Sequence, residues 1–397
     1  MKKTKLIAAM GIAVTSFFYS CSTERELENE TSQKLEQSLS AKGSEVCEIF
    51  NNATESSIIG GVKSVNFDNG ISTNCDNNIL IFPTLQAYGD AIIKLDQLID
   101  DHNDAFDQQT INMTDEQADD YADTTGFDEN EPLTKFEDEL KFCSLRKEIE
   151  TQEAQWLAQQ TDGAWNISAS PDDHFIDDET ERALLSLGSE FIVGDCRTGY
   201  TLYKRYDWGY VSFPLNDPSQ VSQALAALNN LPNPGQATQS QVAAALDPYK
   251  GSTGYSLNTT NPPASQASTC RGSVKDKGEH IFSSDRRIRW KHKLKDAHFP
   301  NLSGTSLMKT YTKSYRKKKG KWKTFRATIF TGYYGEISQP IQCTNLGPAL
   351  LQGKERRRIK VKERSKMLID VSVKQNEFFS VHKQEGNSYQ SEVYEQK

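Results

Sequence analysis

Hydrophobic positions recur with two different periods along this chain, and the change of period divides it. Leu85, Tyr88, Ile92, Leu95 and Ile99 alternate steps of three and four, the spacing of one apolar stripe on a helix, with Thr84 as its cap. Just before it, Ile79-Leu80-Ile81-Phe82 reads as a buried strand. A second stripe, Phe136, Leu140, Cys143 or Leu145, and Ile149, extends toward Trp156 behind the capping-box spelling Thr134-Lys-Phe-Glu137. A third helix over 177–187 stops at Gly188, and Phe191–Asp195 with Tyr200–Tyr203 has the alternation of a hairpin. Residues 100–132, dominated by Asp, Asn, Gln and Glu, read as a surface insertion with a short helix at 114–121. Together these elements predict an α+β module over 47–215.

After residue 270 the period falls to two. Ile288, Trp290 and Leu294 alternate with Arg287, Arg289, Lys291 and Lys293, the pattern of a half-buried strand with a basic outer face. Arg358–Lys362, Met367–Val373, Phe378–Val381 and Ser388–Val393 are further strand candidates, so 270–397 predicts an all-β antiparallel sandwich or barrel. Within it, Tyr315–Arg326 packs seven cations around one glycine and three aromatics. Two aromatic-rich arms meeting at Gly320 predict a hairpin with apolar side chains on one face and lysines on the other. Residues 216–269, rich in Gln, Asn, Ser, Ala and Pro, read as a linker with short helices at 220–229 and 239–246.

Charge sharpens the division. The net charge of the 397 residues is −8, but residues 271–397 hold 29 Lys+Arg against 12 Asp+Glu, which leaves 17 against 42 for the first 270. An acidic module therefore precedes a basic one. Either the basic part meets a polyanion, or the two parts attract each other or a neighbouring envelope protein. For the first reading the candidate contacts are Arg289, Lys291, Lys317, Lys318, Lys319, Lys321, Trp322, Lys323, Arg326, Arg356, Arg357 and Lys360. The fitting partners are acidic glycans, lipopolysaccharide or nucleic acid.

The N-terminus carries an address. Lys2, Lys3 and Lys5 precede the apolar stretch Leu6–Tyr19, which is short for a membrane span, so residues 1–20 read as an export signal. Ser20-Cys21 at its end is similar to a lipoprotein cleavage site, making Cys21 the lipid-anchor candidate; residues 21–46 are polar and read as a flexible tether. Glu24, Glu26, Glu28 and Glu30 behind Cys21 resemble the surface-export signal of Bacteroidota lipoproteins, which implies the outer membrane or cell surface. The order Leu85-x-x-Tyr88, Lys135-Phe-Glu137, Phe142-Cys-Ser-Leu-Arg146, Ile192-Val-Gly-Asp195 and Tyr203-Lys204 resembles Bacteroidota lipoproteins of a domain-of-unknown-function family. The likeness covers residues 79–210 and, more loosely, the basic cassette. It implies an architecture and an address, and no catalytic residue.

Six cysteines follow Cys21 in an oxidising setting. Cys270 and Cys343 are the pair in the basic module and the leading disulfide candidate, with Cys47–Cys75 next; Cys143 and Cys196 read equally well as buried thiols. There is no Cys-x-x-Cys, no paired-histidine spacing, no nucleophile elbow, no phosphate loop and no dinucleotide fingerprint, so neither a metal nor a cofactor is expected and the chain reads as non-enzymatic. His174, among Asp172, Asp173, Asp177, Asp178 and Glu179, reads as part of an acid-rich helix start. A hydrolase would need those acids gathered in a cleft with a raised pKa.

Overall fold

The computed structural model describes residues 46–48, 50, 53–71, 78–160, 169–259, 270–271, 274–295, 307–339, 342–356, 358–364, 372–374, 379–386 and 389–396. The segment expected to be an export signal, Cys21 and all of the expected tether but Val46, which is buried, lie outside them.

The first module is built on a seven-stranded sheet in chain order: β1 (Thr54–Glu55), β2 (Lys63–Asn66), β3 (Asn78–Phe82), β4 (Glu190–Asp195), β5 (Gly199–Tyr206), β6 (Gly209–Pro214) and β7 (Ser256–Thr259). Neighbours are antiparallel except β3 and β4, which run parallel. A parallel pair needs a crossover rather than a tight turn. Residues 83–189 supply it, with helices α1 (Leu85–Thr110), α2 (Asp115–Thr125), α3 (Glu131–Glu139), α4 (Leu145–Gln159) and α5 (Glu179–Arg182). The apolar run of β3 is buried on both sides. Leu80 and Phe82 pack with Tyr88, Leu95, Phe136 and Phe191 under the crossover helices. Ile79 and Ile81 pack with Leu202, Phe213, Val221 and Leu225 on the opposite face.

That second layer corrects the linker expected over 216–269. Its two helices form close to where the spacing puts them, as α6 (Pro218–Asn229) and α7 (Gln239–Leu246), but they cover the sheet, and Ser256–Thr259 is its last strand. Val221, Ala224, Leu225 and Leu228 recur at steps of three, one and three and are fully buried. The apolar stripe outweighs the breaker composition, and Pro218 sits in the first turn, where its missing N–H costs nothing.

Three helix expectations also shift. The α1 stripe continues through Asn103, Phe106 and Thr110, all buried, so the acidic stretch grows out of a core helix. Thr134 and Glu137 are not a capping box: α3 begins three residues earlier with Pro132 in its first turn, and Glu137 is wholly buried. The single second helix is in fact two. Lys141 takes the left-handed conformation (φ 48°) and Ser144 caps α4 by accepting from the Lys147 amide. Of 177–187 only the short α5 is helical.

The second module is antiparallel β throughout its described residues. One sheet runs β12 (Lys321–Thr324), β11 (Leu307–Lys318), β10 (Arg286–Lys295), β9 (Val274–Ser283), with β15 (Arg358–Arg364) also on β11. The other runs β18 (Tyr389–Gln396), β17 (Phe379–Gly386), β13 (Ala327–Gln339), β16 (Ser372–Lys374), β8 (Cys270–Arg271), with β14 (Gln342–Arg356) on β13.

Cys47 is disulfide-bonded to Cys196, joining the segment before β1 to the turn between β4 and β5. This corrects the Cys47–Cys75 expectation. Cys143 is disulfide-bonded as well, so neither it nor Cys196 is a free thiol. Cys75, and the side chains of Cys270 and Cys343, lie outside those described.

Candidate functional site

Register decides what the basic strands present. Arg287 lies opposite Tyr315, Arg289 opposite Lys313 and Lys291 opposite Tyr311. Alternation therefore puts these cations and tyrosines together on one face, while Ile288 and Trp290 share the other with Thr312 and Ser314. Within the hairpin the expected division holds for Tyr315 and Trp322 against Lys318, Lys321 and Lys323, with Lys317, opposite Trp322, as the exception. The face that holds the β10 cations is not solvated: Arg289 is 0% and Lys291 2% exposed. It is covered by the acidic module.

Asp172 and Asp173, in the loop before α5, are the centre of the contact. Asp172 accepts from Arg182 at 2.8 Å and from the Tyr311 hydroxyl at 2.8 Å, with Arg289 at 3.6 Å. Arg289 also donates to Ser170 at 2.6 Å and to Asp173 at 2.9 Å. Lys277 pairs with Asp173 and Lys291 with Asp177. Lys313 reaches Glu153 of α4 at 2.6 Å. Burial alone pushes the Asp172 carboxyl up, but Arg182, Arg289, Lys291 and Lys313 outweigh it and hold the group well below the usual carboxylate range. Burial in turn pushes the Tyr311 hydroxyl well up, so it stays a donor to Asp172.

A second group of contacts grips the turn end of the same sheet. The Arg326 guanidinium lies 4.5 Å from the Phe106 ring and 5.3 Å from that of Phe127, with Glu129 at 3.4 Å and Asp107 at 3.6 Å. Its backbone N–H donates to Asp119 at 3.2 Å. Lys323 faces Asp119 at 3.5 Å and Asp123 at 3.1 Å, Lys318 faces Asp120 at 3.7 Å, and Arg286 and Arg316 each face Glu116 at 3.9 Å. The acidic stretch is thus a clamp with its carboxylates turned onto the basic sheet.

Between the modules lies a cavity of about 290 Å³ whose lining includes Arg146, Arg182, Lys313, Glu153, Asp172 and Glu179. It is a cleft of the kind a hydrolase reading requires, but the carboxyl of Asp172 in it is held low rather than raised. Asp177 is paired with Lys291 instead. His174 accepts from the Ile176 amide at 3.1 Å, and no metal-holding group of three His, Cys, Asp or Glu occurs among the described residues.

The polyanion candidates therefore fall into three sets. Arg289, Lys291 and Arg326 are buried in ion pairs with the acidic module, and Trp322 is buried beneath Arg287 at 4.0 Å; these four belong to the seam rather than to an open surface. Lys317 and Lys323 are half-buried, and Lys318, Lys319 and Lys321 are exposed at the tip of the β11–β12 hairpin. Arg356 ends β14 opposite Ala327 and Lys360 lies in β15 opposite Tyr311, while Arg357 lies outside the described residues. What sequence reasoning missed is the acidic half of the seam. Asp107, Asp119, Glu129 and Glu153 carry no motif, and their partners are more than a hundred residues away.

The motifs behind the family resemblance are internal scaffolding. Ser144 and Arg146 converge on the buried Glu137, with Arg146 Nε at 2.8 Å. Lys204 and Ser186 donate to the buried Glu190 at 3.0 and 2.6 Å, and Asn69 donates to it at 2.7 Å. No family model and no curated protein matches the chain. Among solved structures it is similar to a DUF4848 family protein from Bacteroides thetaiotaomicron, at 10% identity and a TM-score of 0.16, with 80% of this chain and 97% of that chain covered. No described helix is long and apolar enough to cross a membrane.

Proposed function

We propose that this is a lipid-anchored, non-enzymatic protein of a bacterial envelope, of a Bacteroidota family without assigned activity, in which an acidic and a basic module dock to make one rigid body. The observation that supports it is the seam. Arg289, Lys291 and Arg326, three of the twelve polyanion candidates, are desolvated and matched by Asp172, Asp173, Asp177 and Glu129 of the same chain. A buried charge without its partner is costly, so a seam of this kind holds the modules in one orientation rather than letting them swing. The anchor belongs to the same reading: Cys21 would carry lipid, and the tether would hold the body off the membrane.

The test is made in the whole chain. Arg289→Glu removes a positive charge and places a negative one beside Asp172 and Asp173, and it is expected to open the seam, raising the hydrodynamic radius and the overall susceptibility to protease. Adding Asp173→Lys should restore much of the compactness. A charge-reversed protein as compact and protease-resistant as the parent would sink the docking reading. For the anchor, fatty-acid labelling that persists after Cys21→Ala would do the same.

A further inference from the structure

With the seam closed, the tip of the β11–β12 hairpin still turns a basic surface to solvent. Lys318 lies opposite Lys321, so the loop is the two residues Lys319-Gly320. Both have positive φ, 54° and 80°. Such a turn matches the twist of the strands it joins, and its first position is one that Asn, Asp or Gly fill without strain. Here it is a lysine, a long side chain in a left-handed conformation, between two further lysines. Local chemistry that goes against the turn's own preference marks a position kept for something other than folding. Lys318, Lys319 and Lys321 are exposed, and the Asp120 carboxylate facing Lys318 is itself on an exposed side chain.

The shape of the tip selects its partner. It is the point of a two-residue turn between paired strands. The three aromatics of the cassette are not available for stacking: Trp322 lies under Arg287, Phe325 lies between Arg286 and Arg316 at 4.6 and 4.9 Å, and Tyr315 is wholly buried. That removes the platform single-stranded nucleic acid requires. Three exposed ammonium groups on one turn, without apolar insertion, fit a flat array of phosphates. We propose that the hairpin tip makes a salt-sensitive contact with the phosphate groups of a lipid surface and orients the docked body on the membrane. This rests on the envelope reading above but not on the anchor itself.

The experiment uses the mature chain without its first 21 residues, which keeps every described residue and removes the lipid. Binding to phosphatidylcholine vesicles, with and without phosphatidylglycerol, and to vesicles carrying lipopolysaccharide, is measured in about 0.05 M and about 0.5 M salt. Binding is expected only to phosphate-rich vesicles of net negative charge, and only in low salt; the two anionic arms show whether phospholipid or lipopolysaccharide phosphate is preferred. The variant Lys318→Gln/Lys319→Asn/Lys321→Gln relieves the turn, so it should melt no lower than the parent. At about fivefold in partitioning per lysine near an anionic surface, it should bind on the order of 100-fold more weakly. Unchanged vesicle binding by the folded variant overturns the proposal. So does a parent that ignores anionic vesicles while binding a soluble polyanion such as heparin. Because no anchor is present in either protein, loss of Cys21 lipidation elsewhere leaves this result standing.

Discussion

The Arg326 guanidinium is 1% exposed and lies against the stacked pair of rings Phe106 and Phe127, with two carboxylates beside it. A planar, weakly hydrated cation suits that slot and an ammonium does not. Arg326→Lys is therefore expected to be far from conservative, and Arg326→Ala, which leaves Asp107 and Glu129 facing a void, should cost about 3–5 kcal/mol in chemical unfolding. Gly278 gives a second case. It lies opposite Trp290, and a Cβ there would come within 2.4 Å of the indole Cζ2. Gly278→Ala should destabilise by about 1–3 kcal/mol, since a packed ring and a strand backbone must both give way. An unchanged denaturation midpoint would show that the ring has room. That Trp290 belongs to a strand and Arg326 to the basic cassette was legible, because strand and cassette patterns are local. That one is clamped and the other lies over a glycine was not, because Glu129 is separated from Arg326 by 197 residues and the pairing depends on register.

Among the elements, α2 has the most to say about the seam. It buries little apolar surface and holds its place through its caps: Thr114 and Gln117 form a reciprocal capping box, and Gly126 closes the other end in the left-handed conformation. Its outward face then carries Glu116, Asp119, Asp120 and Asp123 onto the basic sheet. Thr114→Ala should weaken the helix by about 1 kcal/mol, read as roughly fivefold faster hydrogen exchange across α2. The β12 amides should loosen with it, and a variant in which α2 exchanges faster while β12 does not would separate the clamp from the sheet. The presence of α1, α6, α7 and the β10–β12 strands follows from periodicity, which survives any tertiary setting. Boundaries that depend on a cap went astray: the Thr134-x-x-Glu137 spelling fits a capping box, but burial recruits Glu137 for Arg146 and leaves capping to Ser144. The 216–269 linker failed for a related reason, since composition averages over an apolar stripe that packing uses residue by residue.

Taken whole, the molecule gathers opposite charges at a seam whose central pairs are buried, and this separates two ways acid and basic halves can attract. Long-range attraction between solvated surfaces fades over about 8–10 Å at ordinary ionic strength, whereas buried pairs are screened much less. Raising salt to about 0.5 M at neutral pH should therefore leave the docked body compact, weakening only rim pairs such as Lys318–Asp120. Acid should behave differently. Asp172 and Glu190 are both held below their ordinary values, in each case against the burial that would raise them: Asp172 by Arg182, Arg289, Lys291 and Lys313, Glu190 by Lys204 and its hydrogen bonds. A carboxyl with a depressed folded pKa binds its proton more readily when unfolded. Its stabilisation is present above the unfolded value, about 4, and is lost as pH falls from there through the folded one. Stability should thus be nearly flat from pH 7 to pH 5 as far as these two groups are concerned and fall steeply below about 4. Protonating Asp172 would leave the Arg182 and Arg289 guanidinium groups facing a neutral acid in a buried site, so the seam should part at low pH before either sheet melts. Small-angle scattering with circular dichroism would see this as an increase in radius at retained secondary structure. Separation by salt alone at pH 7, with no acid step, would mean the modules are held by solvated surface charge and the seam is not the device that makes them one body.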